Sequence, residues 1–179
     1  MARTYNLDFT IRPANNSDIK PIAQIHLESW QQAYKNLMPQ GYIDSYTIEK
    51  LIQLWTNIIE RNLADVLVAQ QQTELIGFIC FGQTKKLKTT QTYEISSIYL
   101  KPEYWGMGIG KALYHECEKI VNEYNAEQIS LWALHSNENA LAFYKKLGFI
   151  PSGALHHEYT EDGILSDIKL VKPLRRKSI

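Results

Sequence analysis

Three glycines at alternate positions open a predicted helix directly after a predicted strand. Residues 98–111 read Ile-Tyr-Leu-Lys-Pro-Glu-Tyr-Trp-Gly-Met-Gly-Ile-Gly-Lys, which places the glycines at Gly106, Gly108 and Gly110. Glycine lacks Cβ, so a ligand can approach the backbone closely, and the first N–H groups of a helix have no acceptor within the helix. Those amides and the positive end of the helix dipole suit a phosphate or diphosphate. The stretch predicts an anion site, and a tight turn without a ligand is the equally weighted alternative.

The glycine turn differs from two common nucleotide-binding motifs. It lacks the Lys-Ser/Thr pair of a P-loop. A dinucleotide-binding glycine turn follows the first strand of its sheet, whereas this turn follows the last of three consecutive predicted strands, about a hundred residues into the chain. It also lacks the acidic residue that such a site has further along the chain. These differences argue against a nucleoside triphosphate or NAD as the ligand.

Two blocks of the sequence resemble the GNAT superfamily of acyl-CoA N-acyltransferases. The diphosphate loop of that family reads Arg/Gln-x-x-Gly-x-Gly/Ala, and residues 105–110 match it with Trp105 in the place of Arg or Gln. Residues 137–149 are similar to the family signature Asn-x-x-Ala-x-x-Phe-Tyr-x-x-x-Gly-Phe. The resemblance in element order covers residues 9–174, and it implies transfer of an acyl group, usually acetyl, from a coenzyme A thioester to an amine.

The resemblance also implies which residues bind acetyl-CoA. The backbone of Ile98 and Leu100 would hydrogen-bond the pantetheine arm like an added strand, because the family splays its sheet at that point. Asn137 would hydrogen-bond the same arm, and it is also a candidate N-cap of the last helix. The Tyr144 hydroxyl would lie near the thioester sulfur, unless Tyr144 is only a core aromatic residue. The diphosphate would be held by the turn, at Trp105, Gly106, Met107, Gly108, Ile109, Gly110 and Lys111.

Attack of an amine on a thioester requires a neutral amine and a proton for the departing thiolate. An alkylamine has a pKa of about 10 by the lysine reference, so a general base has to remove a proton before or during attack. Glu94 on the third strand of the middle region and Glu28 on the first helix are the candidates, and each is also consistent with a solvated carboxylate. Tyr144 fits the role of the acid that protonates the thiolate.

The segment from Glu28 to Tyr42 corresponds to the acceptor-side helices of the family. Trp30 and Tyr34 are expected to line the acceptor pocket with Glu28, and simple packing in or near the core is the alternative for both rings. His26 lies close to the same stripe and is predicted to be a packed, hydrogen-bonded histidine rather than a base.

The spacing of apolar residues predicts the elements that must position these side chains. The three-and-four spacing of apolar residues predicts three helices, which begin near Ile19, Ile48 and Gly108. The alternation of elements in the last part of the chain predicts a fourth helix over 137–147. Ser17 with Asp18 is the expected cap of the first helix, and Pro39 with Gly41 interrupts the helical pattern. Runs rich in β-branched and aromatic residues predict strands over 9–13, 66–69, 75–81, 93–100, 128–133, 154–159 and 165–171.

The order of these elements sets the fold class. A strand, a crossover helix and a further strand imply a parallel pair, so we expect an α/β domain with a mixed sheet. The GNAT resemblance makes this more specific. It implies a central, mainly antiparallel sheet of about seven strands with one splayed pair, flanked by about four helices.

Composition limits the domain count and the kinds of partner. With 179 residues and 45% hydrophobic content, we expect a single domain over 1–179 with its core over about 9–174. Lys+Arg and Asp+Glu both total 19, which argues against a nucleic-acid partner. The basic run of Lys172, Arg175, Arg176 and Lys177 is predicted to be a solvated tail.

Cysteine and histidine usage adds further expectations. Cys80 and Cys117 both lie among apolar residues and are predicted to be reduced core residues. The N-terminus lacks an apolar signal core and no stretch has the roughly 18 apolar residues that span a bilayer, so we expect a cytoplasmic protein without a membrane partner. The remaining histidines show no metal-ligand spacing, so no metal is predicted.

Three functions are compatible with these patterns. The first is an N-acetyltransferase whose acceptor is a small amine or a peptide amine, in a possible homodimer suggested by the family and by the last strands. The second is a non-catalytic acyl-CoA-binding or sensor module, against which Tyr144 argues. The third and weakest is an enzyme that uses another nucleotide at the glycine turn.

Overall fold

The chain forms one seven-stranded sheet with helices on both faces. The computed structural model describes residues 8–84, 91–160 and 162–174. Within them the strand order is β1-β2-β3-β4-β5-β7-β6, and every neighbouring pair is antiparallel except the parallel pair β4 and β5. The predicted mixed, mainly antiparallel sheet is therefore confirmed. The strands are β1 Thr10–Pro13, β2 Asp65–Gln71, β3 Glu74–Gln83, β4 Thr92–Leu100, β5 Gln128–Leu134, β6 Ile150–Thr160 and β7 Gly163–Pro173.

The described residues contain one helix more than the four predicted. The helices are α1 Ile19–Tyr34, α2 Gln40–Asp44, α3 Ile48–Glu60, α4 Ile109–Glu123 and α5 Glu138–Lys146, with 3-10 turns at Asn16–Asp18 and Pro102–Tyr104. The additional helix is α2, where Pro39 and Gly41 were expected only to interrupt the pattern. Pro39 is the N-cap residue of α2, a position that tolerates proline because no helical N–H is needed there.

The cap before α1 also differs from the prediction. Asp18 occupies the N-cap position of α1, yet its carboxylate makes no capping hydrogen bond to that helix. It accepts from the Asn15 amide at 2.8 Å and pairs with Arg12 at 2.7 Å. The side-chain oxygen of Asn15 accepts from the Ser17 amide, so Asn15 is the side-chain cap of the preceding 3-10 turn. The Arg12 hydrogen bond holds the pKa of Asp18 below its usual value.

Side chains pack on both faces of the sheet. We call the face that α1 and α3 cover the α1 face, and the opposite one the α4 face. Ile22 and Trp55 are fully buried on the α1 face against Phe78. Ile109 and Leu113 are fully buried on the α4 face, where α5 also packs. Full burial of one such aliphatic side chain stabilises the fold by about 1.5–3 kcal/mol.

The pair of β4 and β5 is open along half of its length. Its register joins only residues 92–95 to residues 128–131, although β4 continues to Leu100 and β5 to Leu134. The opening begins at Ser96, which is the extra residue of a β-bulge opposite β3. A bulge bends a strand and increases its twist, so β4 turns away from β5 beyond this residue. The splayed pair that the family resemblance implied is therefore confirmed.

The α1 face is covered only over half of the sheet. Its buried cluster includes residues from β2 and β3 but none from β5, β6 or β7. On the uncovered half Trp132 of β5 keeps 38% of its surface accessible. We call this uncovered half, between α1 and α2 on one side and β5, β7 and β6 on the other, the open cleft.

Two predicted features lie outside the described residues. Most of the turn expected over 83–91 falls at residues 85–90, and three of the four residues in the basic run fall in 175–179. Cys80 and Cys117 are buried free thiols, as predicted. No helix of the described chain is long and apolar enough to cross a membrane.

Candidate active site

The glycine turn connects β4 to α4 and is open above its backbone. Gly106 has φ 76° and Gly108 has φ 87°, both in the left-handed region that glycine adopts without strain. A Cβ placed at either position would have no neighbouring atom within 4 Å. Backbone conformation, rather than crowding by the protein, therefore requires glycine here, and the space above the turn is accessible to a ligand.

The first amides of α4 have no acceptor in the helix. Gly108 is the N-cap residue and provides no side-chain hydrogen bond. The first helical bond runs from the Ala112 amide to the Gly108 carbonyl at 3.0 Å, which leaves the amides of residues 109–111 without a helical acceptor. Gly110 is buried close to the Phe143 ring, whereas Lys111 is exposed. The helix start can therefore donate several N–H groups to an anion.

The far half of β4 presents backbone groups to the splayed opening. The Lys101 amide donates to the Ile76 carbonyl of β3 at 3.0 Å. Backbone groups of successive strand residues point to opposite edges, so those of Ile98 and Leu100 point away from β3. Beyond residue 95 that edge has no partner in β5. An extended ligand segment can hydrogen-bond there like an additional strand.

Trp105 contacts β4 rather than pointing out of the turn. Its indole Nε1 donates to the Leu100 carbonyl at 3.0 Å, while 43% of the residue surface remains accessible. The Ser29 hydroxyl donates to the same carbonyl. The residue that replaces the Arg or Gln of the family therefore joins the glycine turn to the end of β4.

Asn137 caps α5 and Tyr144 lies within it, beside the glycine turn. Asn137 is buried, and its side-chain oxygen accepts from the Ala140 amide at 3.1 Å, so the predicted N-cap is confirmed. Among the described residues no hydrogen bond engages its side-chain NH₂ group. The Tyr144 ring packs edge-on against Phe149 at 5.8 Å. Within the described chain the Tyr144 hydroxyl has no hydrogen-bond partner, and burial raises its pKa, so it stays protonated at neutral pH.

Tyr144 reaches the opening between β4 and β5. It packs with the cluster on the α4 face, yet its hydroxyl is near enough to that of Tyr34 in α1 for the two to affect each other electrostatically. Tyr34 in turn interacts with the Tyr99 hydroxyl of β4. Groups from opposite faces can approach in this way only where the sheet is open. The sequence did not predict this role of Tyr99.

Aromatic rings from α1, from α2 and from the turn after α2 form one wall of the open cleft. The Trp30 ring lies 4.4 Å from Tyr34, 4.3 Å from Tyr46 and 6.4 Å from Tyr42 between centroids. Trp30 is only 8% exposed, and its Nε1 is a buried donor without a partner in the described chain. The structure thus brings the two predicted acceptor-side rings, Trp30 and Tyr34, together.

His26 is a structural residue, as predicted. Its Nδ1 accepts from Trp55 Nε1 at 3.2 Å, and its ring stacks on Tyr99 at 4.7 Å. Burial lowers the pKa of His26 to about 4. It is therefore neutral at pH 7, with one ring nitrogen already engaged.

The two predicted carboxylates lie in different places. Glu94 is on the α1 face at the open cleft, where it accepts from the Ser130 hydroxyl at 3.4 Å and lies 3.9 Å from Lys169 Nζ. Glu28 accepts from Gln24 at 2.8 Å and affects Lys101 beyond the end of β4. No contact in the described residues joins either carboxylate to Tyr144, and Glu94 is the one that lies at the open cleft.

The sequence reasoning missed two further carboxylates at the open cleft. Glu158 of β6 accepts from the Tyr42 hydroxyl at 2.7 Å, which joins α2 to the last hairpin. Asp167 of β7 is paired in register with His156 and acts electrostatically on Tyr34. Alternation within the predicted strands 154–159 and 165–171 indicates which residues of each strand share a face with Glu158 or with Asp167. The register between the two strands is also needed to show that both carboxylates lie on the same face. Among the described residues no cluster of His, Cys, Asp and Glu has the composition of a metal site.

Comparisons with known proteins agree with this geometry. Residues 24–149 match the model of the acetyltransferase (GNAT) family. The chain is 31% identical over 153 residues to a spermidine N(1)-acetyltransferase of Thermoplasma acidophilum, covering 80% of this chain and 89% of that protein. It is 29% identical over 162 residues to an N-alpha-acetyltransferase of Sulfurisphaera tokodaii, covering 86% and 87%. The solved structure of the PaiA N-acetyltransferase from Thermoplasma acidophilum in complex with coenzyme A matches with a TM-score of 0.73 at 28% identity, covering 93% of this chain and 99% of that one.

Proposed function

The chain belongs to the GNAT family of acetyltransferases and is an acetyl-CoA-dependent N-acetyltransferase, and we propose that it moves the acetyl group directly to a primary amine of a small molecule or peptide within a ternary complex. One observation carries this proposal. The first amides of α4 have no hydrogen-bond acceptor among the described residues, and the space above Gly106 and Gly108 is open. This arrangement fits the diphosphate of coenzyme A.

The chain's own groups would bind the donor along the splayed opening. The backbone of Ile98 and Leu100 would hydrogen-bond the pantetheine arm, and the amides of residues 106–111 would hold the diphosphate. The Asn137 side chain would add a hydrogen bond to the arm. The Leu100 carbonyl already accepts hydrogen bonds from Trp105 and Ser29. The Leu100 amide is therefore the better group for a hydrogen bond to the pantetheine arm.

Two groups would transfer protons at the reacting centre. Tyr144 would donate from its hydroxyl to the departing thiolate, and its unpartnered hydroxyl in the splayed opening supports this role. Glu94 would accept a proton from the attacking amine, directly or through water, from its place at the open cleft. Glu28 remains the second candidate base, although its contacts with Gln24 and Lys101 keep it beyond the end of β4. Holding the reactants in line would supply much of the remaining rate.

Release of free thiol from acetyl-CoA, measured against a panel of amines, tests the proposal. We expect amine-dependent thiol release by the wild-type protein and greatly reduced release by Tyr144→Phe with CoA binding preserved. Tight CoA binding without turnover of any amine would contradict the proposal and favour a sensor module. Equal affinity for nucleotides that lack pantetheine would favour a different nucleotide substrate.

The proposal also includes the cellular location and the oligomeric state of the protein. We propose a cytoplasmic location and a homodimer, as predicted from composition, from the family and from the last strands. Light scattering behind size-exclusion chromatography tests the dimer, and a monomer at all concentrations would contradict it.

A further inference from the structure

We infer that two copies of the chain pair through the free edge of β6, antiparallel and in one register, with a two-fold axis at His157. The inference deepens the proposed homodimer, on which it rests, and it does not depend on acetyl transfer. The partner is a second copy of this chain, and the pairing would continue the seven-stranded sheet from one copy into the other.

The two edges of the sheet differ in their protection against pairing with another strand. β1 forms one edge with only four residues, which include Arg12 and Pro13. Short length, charge and proline all discourage pairing at an edge. β6 forms the other edge with eleven residues, of which ten are exposed and none is lysine or arginine. Its proline and its bulge lie at residues 151–154, so residues 155–160 form a regular, unprotected edge.

The hydrogen bonds of the last hairpin show which residues of β6 present backbone groups at the free edge. The Ser166 carbonyl of β7 accepts from the His135 amide at 2.8 Å, so the backbone groups of Ser166 point toward β5 and away from β6. His157 lies opposite Ser166, and opposite residues of an antiparallel pair either both face each other or both face away. The N–H and C=O groups of His157 therefore point outward, as do those of Leu155 and Tyr159, which alternate with it.

One register uses all of these outward residues in both copies. Outward residues can hydrogen-bond only outward residues of the second copy, so the axis has to pass through a residue rather than between two. With the axis at His157, Leu155 lies opposite Tyr159 of the second copy and His157 lies opposite its own mate. An axis at residue 156 would set Tyr159 opposite Gly153 in the bulge, where φ is 87°. An axis at residue 158 would set two Glu158 carboxylates against each other, which is unfavourable.

The register at His157 brings apolar side chains together on the α4 face. Leu155 lies opposite Ile168, which packs in the cluster on that face, so the alternating residues Leu155 and Tyr159 both lie there. Leu155 is 56% exposed and Tyr159 is 78% exposed. In the dimer each would pack against the other residue of the second copy, and the two-fold axis forms this pair twice.

Polar side chains meet on the α1 face in the same register. His156 of one copy would lie opposite Glu158 of the other, and an imidazole N–H is a suitable donor to a carboxylate. His156 is already opposite Asp167 of its own chain, so its ring would lie between two carboxylates. Glu158 accepts from the Tyr42 hydroxyl at 2.7 Å, at the end of the open cleft. The second copy would therefore border the cleft where α2 contacts β6.

Engineered cysteines test the register. In His157→Cys the two cysteines would lie opposite each other with Cα atoms about 5.5 Å apart, a distance that a disulfide spans. In Tyr159→Cys each cysteine would lie opposite Leu155, so the two are about 14 Å apart along the strand and cannot be joined. With copper phenanthroline as oxidant we expect a covalent dimer of His157→Cys, and of Tyr159→Cys only when it is mixed with Leu155→Cys. The native thiols of Cys80 and Cys117 are buried, and the wild-type protein gives the background.

An added charge tests whether this edge holds the dimer together. Tyr159→Lys would place a lysine against Leu155 of the second copy at both ends of the pairing. We expect the dimer Kd, from light scattering behind size-exclusion chromatography over a concentration series, to rise by at least about tenfold. Ile150→Lys is the matched control, because Ile150 is 55% exposed in the same strand but precedes the bulge. Its dimer Kd should stay within about threefold of the wild-type value.

The outcomes separate this interface from the homodimer itself. A dimer that forms no disulfide in His157→Cys, or that keeps its wild-type Kd in Tyr159→Lys, would overturn the inference and leave the homodimer to another surface. Equal cross-linking of His157→Cys and of Tyr159→Cys alone would overturn the register. A wild-type monomer at every concentration would overturn the inference together with the proposed homodimer. Acetyl transfer is measured separately, by thiol release, and would stand in each of these cases.

Discussion

Replacing Gly108 by alanine should strain the backbone and also block the proposed anion site, and a matched replacement elsewhere separates the two effects. Gly108 has φ 87°, and no atom lies within 4 Å of the position that a Cβ would take there. Gly153 in β6 also has φ 87° and equally open surroundings, so Gly153→Ala is a matched control outside the proposed site. An L-residue in this conformation costs about 1–2 kcal/mol, and for a chain of this length we expect each variant to lose roughly 2–8 °C in Tm.

The two variants should differ in their affinity for coenzyme A. In Gly108→Ala the added methyl group occupies the open space above the turn, where the diphosphate would approach the first amides of α4. We expect its Kd for CoA, measured by isothermal titration calorimetry, to rise by at least about tenfold, which corresponds to about 1.4 kcal/mol. Gly153→Ala should bind CoA as the wild type does. Equal affinities of the two variants would refute the assignment of the glycine turn as the diphosphate site.

Three further predictions concern single side chains. Tyr144→Phe should lower kcat by about 10²–10⁴ and leave Kd for CoA within about threefold, and steady-state kinetics showing an unchanged kcat would exclude Tyr144 as the acid. Trp105→Phe removes the hydrogen bond to Leu100 and should destabilise the fold by about 1 kcal/mol in urea unfolding, whereas a Trp105 that binds only ligand would leave stability unchanged. His26 has a pKa of about 4 in the folded chain against about 6.5 unfolded, so its contribution to stability is complete above pH 6.5 and is lost as the pH falls toward 4. The free energy of unfolding should fall by about 3 kcal/mol over that window, and His26→Gln should show a weaker fall.

Local signals in the sequence predicted most of the fold. Apolar spacing of three and four located α1, α3 and α4, because each of these helices buries one face. The alternation of helices and strands located α5, which has no buried residue of its own. Apolar spacing did not locate α2, whose five residues are too short to show a period and whose Pro39 is usually a helix breaker. The cap at Asn15 was missed because Asn, Ser and Asp have similar cap propensities, so residue type alone does not choose among Asn15, Ser17 and Asp18.

The geometry of the glycine turn was easier to predict than that of the open cleft. The glycine turn and β4 are contiguous in sequence, and their chemistry depends on backbone groups whose direction follows from local structure. The open cleft instead combines α1, α2 and the last hairpin. Glu158 contacts Tyr42 across 116 positions of sequence, so no local pattern brings the two together. Only the register of β6 with β7 shows that Asp167 faces the same cleft.

The central claim is that backbone amides at the start of α4 bind the diphosphate of coenzyme A. A crystal structure of the protein with CoA tests it most directly. We expect phosphate oxygens within about 3.2 Å of amide nitrogens among residues 106–111, with the pantetheine arm along β4 in the splayed opening. Phosphates bound elsewhere, with those amides turned to solvent or to the protein, would contradict it.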